Sequence, residues 1–318
     1  MARHEPECSE PGLTESRRSG FVSVVGRPNA GKSTLINAMV GEKVAITSNK
    51  PQTTRHTVRG IVNSTAGQLV LVDTPGLHRP RTLLGERLND EAKGTLADVD
   101  VIAVTLPADE RIGPGDRFIT AETAAVRRAP KVAVITKADL VDPERMLRHL
   151  TEVAVMGAEL GIEWAEVVPV SAVDGFQVEL LKDLLTRLLP EGPPLYPLDT
   201  ATDEPLEARV GELIREAALE GVRDELPHSI AVLVDEMGPR EGRRPERPLT
   251  GVHATIFVER SSQKAIVIGP KGARLKQVGT TARKEIEQLL GTPVYLDLHV
   301  TVAKDWQRDP RQLRKLGF

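Results

Sequence analysis

Five short stretches of the chain are almost continuously apolar: "FVSVV" (21–25), "LVLVD" (69–73), "VDVIAVTL" (99–106), "KVAVIT" (131–136) and "EVVPVS" (166–171). Runs of this length, rich in Val, Ile and Leu and lacking polar alternation, read as strands buried on both faces. Helical segments lie between most of them. Lys32–Val40 closes at Gly41, and Gln177–Leu189 stops at Pro190. Strands alternating with helices predict an α/β fold with a doubly wound, mostly parallel sheet.

The pattern then changes. "PEGPPLYPLDTATDEP" (190–205) carries five prolines in sixteen residues and reads as a stiff linker. Beyond it the chain predicts a helix over 205–226, strands over 228–236 and 250–260 flanking the loop 237–248, and a further short strand "KAIVI" (264–268). A helix over about 271–290 and a last strand over 294–303 complete it. The expected organisation is a disordered tail (1–19), a first domain (20–190), a linker (191–205) and a smaller α+β domain (206–318).

Composition narrows the class. Of 318 residues, 40% are apolar but only 3% aromatic, so the core is built from aliphatic side chains. Cys8 is the only cysteine, which excludes an internal disulfide framework and a cysteine metal cluster and suits a reducing compartment. The first twenty residues are polar and of both charge signs, so no secretory leader is expected. No apolar run approaches a membrane span. The net charge of −3 conceals an asymmetry. Residues 260–318 hold 12 Lys/Arg against 5 Asp/Glu, whereas 1–205 hold 23 against 29. A basic tail on an acidic front points to an anionic partner at the C-terminal end.

The chemistry-bearing motifs follow the predicted strands. Gly26-Arg-Pro-Asn29-Ala30-Gly31-Lys32-Ser33 fits G-x-x-x-x-G-K-[ST] directly after a strand and before a helix. In that setting backbone amides and the helix N-terminus, with Thr34 on its first turn, cradle a phosphate. Lys32 reaches the β/γ oxygens and Ser33 ligates Mg²⁺. "DTPG" (73–76) closes another strand, placing Asp73 to hold Mg²⁺ through water and the Gly76 amide to meet a γ-phosphate. In "TKAD" (136–139), Asp139 can accept two hydrogen bonds from guanine that adenine does not offer, and Lys137 would lie along the base. After the last strand of the first domain, Ser171 and Ala172 bring an amide toward guanine O6. Each short motif is weak alone. Their order identifies a domain that binds GTP or GDP with Mg²⁺. A second glycine-bracketed loop, Gly269-Pro270-Lys271-Gly272, is followed by Arg274 and Lys276 and suits a phosphate backbone.

With these motifs in place, the chain resembles the Era family of ribosome-assembly GTPases. The resemblance lies in "SNKPQTTRHTVRGIV" (48–62), "VDTPGLH" (72–78), "ELPHSIAV" (225–232), "IVIGPKGARLK" (266–276) and "GTPVYLDLHVTVAKDW" (291–306). It covers about residues 20–318. It implies a P-loop GTPase domain joined to a KH type II domain, αββααβ in order. Residues 269–272, with Arg274 and Lys276, would clamp single-stranded RNA from the 3′ end of 16S rRNA. It implies a cytoplasmic monomer that assists maturation of the small ribosomal subunit, with loose peripheral association with the inner face of the membrane. Thr54 matches the switch threonine that closes on Mg²⁺ and the γ-phosphate, and Asn29 the position that holds a K⁺ ion in related families. His56 and His78 fall on switch loops.

Two positions depart from the family. Thr136 stands where Asn usually bonds guanine N7 and ties the base loop to the phosphate loop; a Thr hydroxyl reaches less far. Pro270 replaces a frequently basic residue and removes one N–H. Leu77, after DTPG, cannot orient a water as a glutamine would. A second reading therefore stays open, a non-hydrolysing nucleotide sensor acting as an RNA-binding module. A double-GTPase ribosome factor would need a second phosphate loop of the first kind. A tRNA-modifying GTPase would need a C-terminal cysteine. The chain has neither.

Overall fold

The computed structural model describes residues 17–48, 53–75, 82–222, 226–240 and 248–318, save the side chains of 227 and 228. Six strands form the first sheet: β1 (Arg18–Val25), β2 (Val58–Asn63), β3 (Gly67–Asp73), β4 (Val101–Pro107), β5 (Lys131–Thr136) and β6 (Trp164–Pro169). Their spatial order is β2-β3-β1-β4-β5-β6, with every neighbouring pair parallel except β2 and β3. All seven residues of β4 are buried, which is why that strand reads as an unbroken apolar run. Its alternate side chains serve opposite faces. Val101 and Ala103 join α1 (Lys32–Val40) and α5 (Val178–Leu188). Ile102 and Val104 join α2 (Leu83–Ala97), α3 (Pro114–Ala124) and α4 (Pro143–Glu159).

In the first sheet and the linker, three details differ from the sequence reading. The first strand starts at Arg18, inside the stretch read as a tail, because Arg18 and Ser19 pair with Gly67 and Gln68 of β3. An antiparallel edge strand, β2, is present that the apolar runs did not disclose. The proline-rich segment is also fastened to β2 and to the start of β3. Gln68 Oε1 accepts from the amides of Leu195 and Tyr196, Asn63 donates to the Leu198 carbonyl, and the outward Ile61 amide bonds the Ala201 carbonyl. Tertiary hydrogen bonds, as well as proline stiffness, fix the path of the chain between its two sheets.

After α6 (Leu206–Leu219) and the short α7 (Leu226–Ser229) comes the second sheet, β7 (Ala231–Pro239), β8 (Thr250–Val258) and β9 (Val294–Val302), in that order. Between β8 and β9 lie α8 (Ser261–Ile268) and α9 (Ala273–Leu290), and α10 (Pro310–Lys315) follows β9. The unit buries Val210, Ile214, Val252, Ile256, Val278 and Ile286 in one core. The expected strand at 264–268 is the last turn and a half of helix α8. The Gln263 side chain accepts from the amides of Glu259 and Arg260, which fixes the helix start. A five-residue apolar run cannot by itself choose between strand and helix. With this change, α6, β7, β8, α8, α9 and β9 follow the αββααβ order. The helix expected to run to 226 ends at Leu219, and the strand after it begins at Ala231.

Candidate functional site

The first glycine loop joins β1 to α1. Asn29 (φ 63°) and Gly31 (φ 88°) both take the left-handed conformation, which turns the backbone around the helix start. Gly31 caps α1 with no side-chain bond, so the first-turn amides, Thr34 included, face the cleft. Gly26 is forced by close approach, since a Cβ there would lie 2.0 Å from Thr105 Oγ1. Lys32 is buried, and its ammonium donates to the carbonyls of Gly26 (3.1 Å) and Arg27 (3.2 Å). The loop is braced from across the sheet. Thr136 Oγ1 donates to the Ala30 carbonyl at 2.7 Å. The tie between base loop and phosphate loop, which Thr136 was expected to weaken, is therefore present. Its single hydroxyl proton is engaged there and is not offered to a base.

Ser33, Thr54 and Asp73 converge. Asp73 Oδ2 accepts from Ser33 Oγ at 2.6 Å and from Thr54 Oγ1 at 3.1 Å, and the two hydroxyls are 3.3 Å apart. These residues come from α1, an irregular loop and the end of β3. Asp73 is fully buried, and its Oδ1 has no hydrogen-bond partner among the described residues. Burial pushes its carboxyl up and the Lys32 ammonium down, each opposed by the other's charge. A buried carboxylate with one oxygen unmatched, beside two hydroxyls, fits a small hard cation such as Mg²⁺ bound directly or through water. A cleft of about 720 Å³ opens beside it, lined by Asn29, Gly31, Lys32, Ser33, Thr34, Thr54 and Lys137.

Lys137 is left-handed (φ 59°) and its ammonium pairs with Asp109 at 3.0 Å. Asp139 sits exposed on a single 3₁₀ turn, Ala138–Leu140. The Ala138 amide bonds the Val170 carbonyl, which brings the two base loops side by side. Buried Ser171 accepts from the Asp174 amide at 3.5 Å, and half-buried Ala172 follows it. Asp139, Ser171 and Ala172 stand beyond the residues that line the cleft. Gly76 and His78 lie outside the described residues. His56 lies on the Thr54 loop, with its ring stacked on Phe318 at 4.6 Å between centroids.

The second glycine loop is built on the same backbone device. Gly269 (φ 71°), Lys271 (φ 49°) and Gly272 (φ 79°) enclose the 3₁₀ turn Pro270–Gly272 before α9. Pro270, Lys271 and Lys276 are exposed. Arg274 is not available with them. Its Nη2 donates to the carbonyls of Ala218 (3.3 Å) and Glu220 (2.8 Å), where α6 ends. The orphan carbonyls and negative dipole of that helix end hold the guanidinium. Sequence spacing placed Arg274 near the loop but carried no sign that it would meet the end of α6. Gly269 lies against it, since a Cβ there would be 2.6 Å from Arg274 Cβ.

The same geometry is found among known proteins. A family model described as 50S ribosome-binding GTPase matches residues 21–137, and a KH domain model matches 225–307. The chain is 68% identical to GTPase Era of a Nocardioides species over 96% of its length and 98% of that protein. It is 65% identical to GTPase Era of Streptomyces coelicolor, with 98% of each covered. A crystal structure of Era in complex with MgGDPNP and nucleotides 1506–1542 of 16S ribosomal RNA superposes with a TM-score of 0.89 at 38% identity. That match covers 95% of this chain and 99% of the other. An Aquifex aeolicus Era variant bound to GDP·AlF4⁻ gives 0.87 at 38%, covering 94% and 99%.

Proposed function

The chain belongs to the Era family of GTPases, and on that premise we propose that it binds the 3′ region of 16S rRNA and assists maturation of the small ribosomal subunit. In this reading GTP hydrolysis in the first unit, within residues 20–190, sets the state, and the RNA lies against the second, within residues 206–318, beyond the 191–205 linker. The observation that carries the nucleotide half is the meeting of Ser33, Thr54 and Asp73 beside Lys32. Full-length likeness to a protein crystallised with MgGDPNP and rRNA supports the rest.

In the roles we assign, Lys32 and the amides of Gly26–Thr34 hold the phosphates. Asp139 selects guanine, with Lys137, Thr136, Ser171 and Ala172 forming its surroundings. Ser33, Thr54 and Asp73 hold Mg²⁺, which would neutralise charge on the phosphate oxygens. Gly76 supplies an amide to the γ-phosphate. Asn29 holds K⁺, whose charge would serve a cleft that no arginine among the described residues lines. Leu77 in the water-orienting position makes the intrinsic rate slow. Gly269, Pro270, Lys271, Gly272 and Lys276 meet the RNA, and Arg274 supports them from behind.

Release of inorganic phosphate from GTP, in KCl and NaCl at equal ionic strength, tests this directly. Faster turnover in KCl is expected; equal rates would remove the K⁺ role. Asp139→Asn should shift preference from guanine toward xanthine nucleotide, and excess ATP should fail to compete with the parent. No helix of the described residues is long and apolar enough to cross a membrane. We place the chain in the cytoplasm as a monomer. Flotation with liposomes checks the peripheral association that the resemblance implies.

A further inference from the structure

The described residues between Glu42 and Thr57, which carry Thr54, form no helix or strand. The first unit holds this segment near its ends and at the Thr54 hydroxyl, which meets Ser33 and Asp73. Asn37 of α1 accepts from the amides of Val44 and Ala45, and Glu91 of α2 bonds Thr57. The second unit grips the described residues on either side of Thr54 as well. Glu216 on α6 accepts from the Thr47 amide (2.8 Å) and hydroxyl (3.2 Å) and pairs with Lys43 at 2.6 Å. Its neighbour Arg215 donates from Nη2 to the Thr53 carbonyl, one residue before Thr54. Ile46 is buried in the core of the second unit. Arg215 is fully buried, and Glu212 accepts from its Nε (2.8 Å) and Nη2 (2.5 Å), which locks the guanidinium plane.

We propose that Arg215 and Glu216 are positioning residues of the GTPase site. They grip the loop on both sides of residues 48–52 and so set Thr54 where its hydroxyl meets Asp73 and Ser33. Docking of α6 and assembly of the Mg²⁺ site then belong to one coupled equilibrium, and each favours the other by the same factor. The coupling acts on the triphosphate state, because switch loops are ordered by contacts to γ-phosphate and Mg²⁺. The inference rests on reading Ser33, Thr54 and Asp73 as the Mg²⁺ site.

The experiment uses the full chain, a fluorescent GDP and a fluorescent non-hydrolysable GTP analogue, each titrated across a Mg²⁺ series. Two variants are compared with the parent. In Arg215→Lys, charge is kept but an ammonium cannot serve Glu212 and the Thr53 carbonyl in the same forked geometry. In Glu216→Ala, a good helix former stands at a partly exposed position. Both should lower the ratio of analogue to GDP affinity about fivefold or more and raise half-saturating Mg²⁺ by a similar factor. GDP affinity should stay near that of the parent. A parent-like ratio and Mg²⁺ dependence would overturn the proposal. So would an equal loss for both nucleotides, which marks a purely structural role. Should the buried Arg215→Lys variant fail to fold, Glu216→Ala decides alone. If the parent itself binds the analogue without regard to Mg²⁺, the Mg²⁺ site assignment has failed instead.

Discussion

The two glycine loops use one backbone device for different ends. Each places a non-glycine residue and then a glycine at positive φ, Asn29 and Gly31 in the first, Lys271 and Gly272 in the second. Each opens a helix whose N-cap glycine contributes no side-chain bond. The surroundings differ. The first loop is enclosed, with its lysine buried, Gly26 against Thr105 and the Ala30 carbonyl held by Thr136. The second stands open, with Pro270 and Lys271 exposed and no atom within 4 Å of a Cβ added at Gly272. An enclosed cradle fixes one phosphate group against several donors at once. An open one meets a chain of phosphates whose strength of binding is set by charge and salt. In the roles we propose, recognition of a single ion therefore depends on tertiary braces, and tracking of a polymer on exposure.

Removing the central donor of the enclosed loop should have the largest effect. Lys32→Ala deletes a buried charge-assisted donor, at a cost of about 3 kcal/mol, so GTP affinity should fall about a hundredfold. RNA affinity of the nucleotide-free protein should not change. Calorimetric titration with each ligand measures both, and a parallel loss of RNA binding would show that the loops are not independent.

Next comes the open loop. Gly272→Val meets no clash in the free protein but strains a left-handed backbone by roughly 1–3 kcal/mol. Single-stranded RNA should bind about tenfold more weakly, while GTP turnover stays as in the parent. Lys271→Glu should weaken binding across RNA sequences and flatten its salt dependence, whereas Pro270→Lys should change it little. If Gly272→Val binds RNA like the parent, the strand does not lie on this loop.

A smaller effect is expected from the brace. Thr136→Ala removes the bond to the Ala30 carbonyl, worth about 0.5–1.5 kcal/mol. Nucleotide affinity should drop up to about tenfold with guanine preference retained, since Asp139 is untouched. Loss of preference against ATP would place base recognition on Thr136 instead.

The smallest lies between the two units. Burial, then the neighbouring carboxylates Glu212 and Asp203, push Glu204 up to about 7. The folded state therefore favours the protonated acid. That contribution is complete below the ordinary carboxylate pKa and is lost as pH rises through about 7. Thermal midpoints of the parent should decline over this window, and Glu204→Gln should flatten the decline. An unaltered profile would mean that Glu204 does not sense the junction.

Legibility followed the range of the forces involved. Strands β1, β3, β4 and β5 were readable because a strand covered on both faces has little choice but Val, Ile and Leu, whereas β6, read the same way, is an edge with Glu166 and Val167 exposed. The phosphate loop was readable because few backbones can wrap a phosphate. Helix α8 was not, since "KAIVI" satisfies either periodicity and only the Gln263 cap and the packing of Val267 decide for helix. Strand β2 stayed hidden because it is an edge whose last residue, Asn63, is exposed.

By itself the sequence determined the strand-forming apolar runs of the first sheet, the guanine and phosphate motifs and the basic C-terminal end, since these depend on local geometry and on chemistry carried by a few adjacent residues. Only the tertiary structure decided that Arg274 caps α6, that Thr136 spans to Ala30, and that Arg215 and Glu216 grip the loop of Thr54. Those bonds join residues 56, 106 and about 160–170 positions apart. Their partners are backbone carbonyls and amides, which every residue carries, so no sequence pattern marks them.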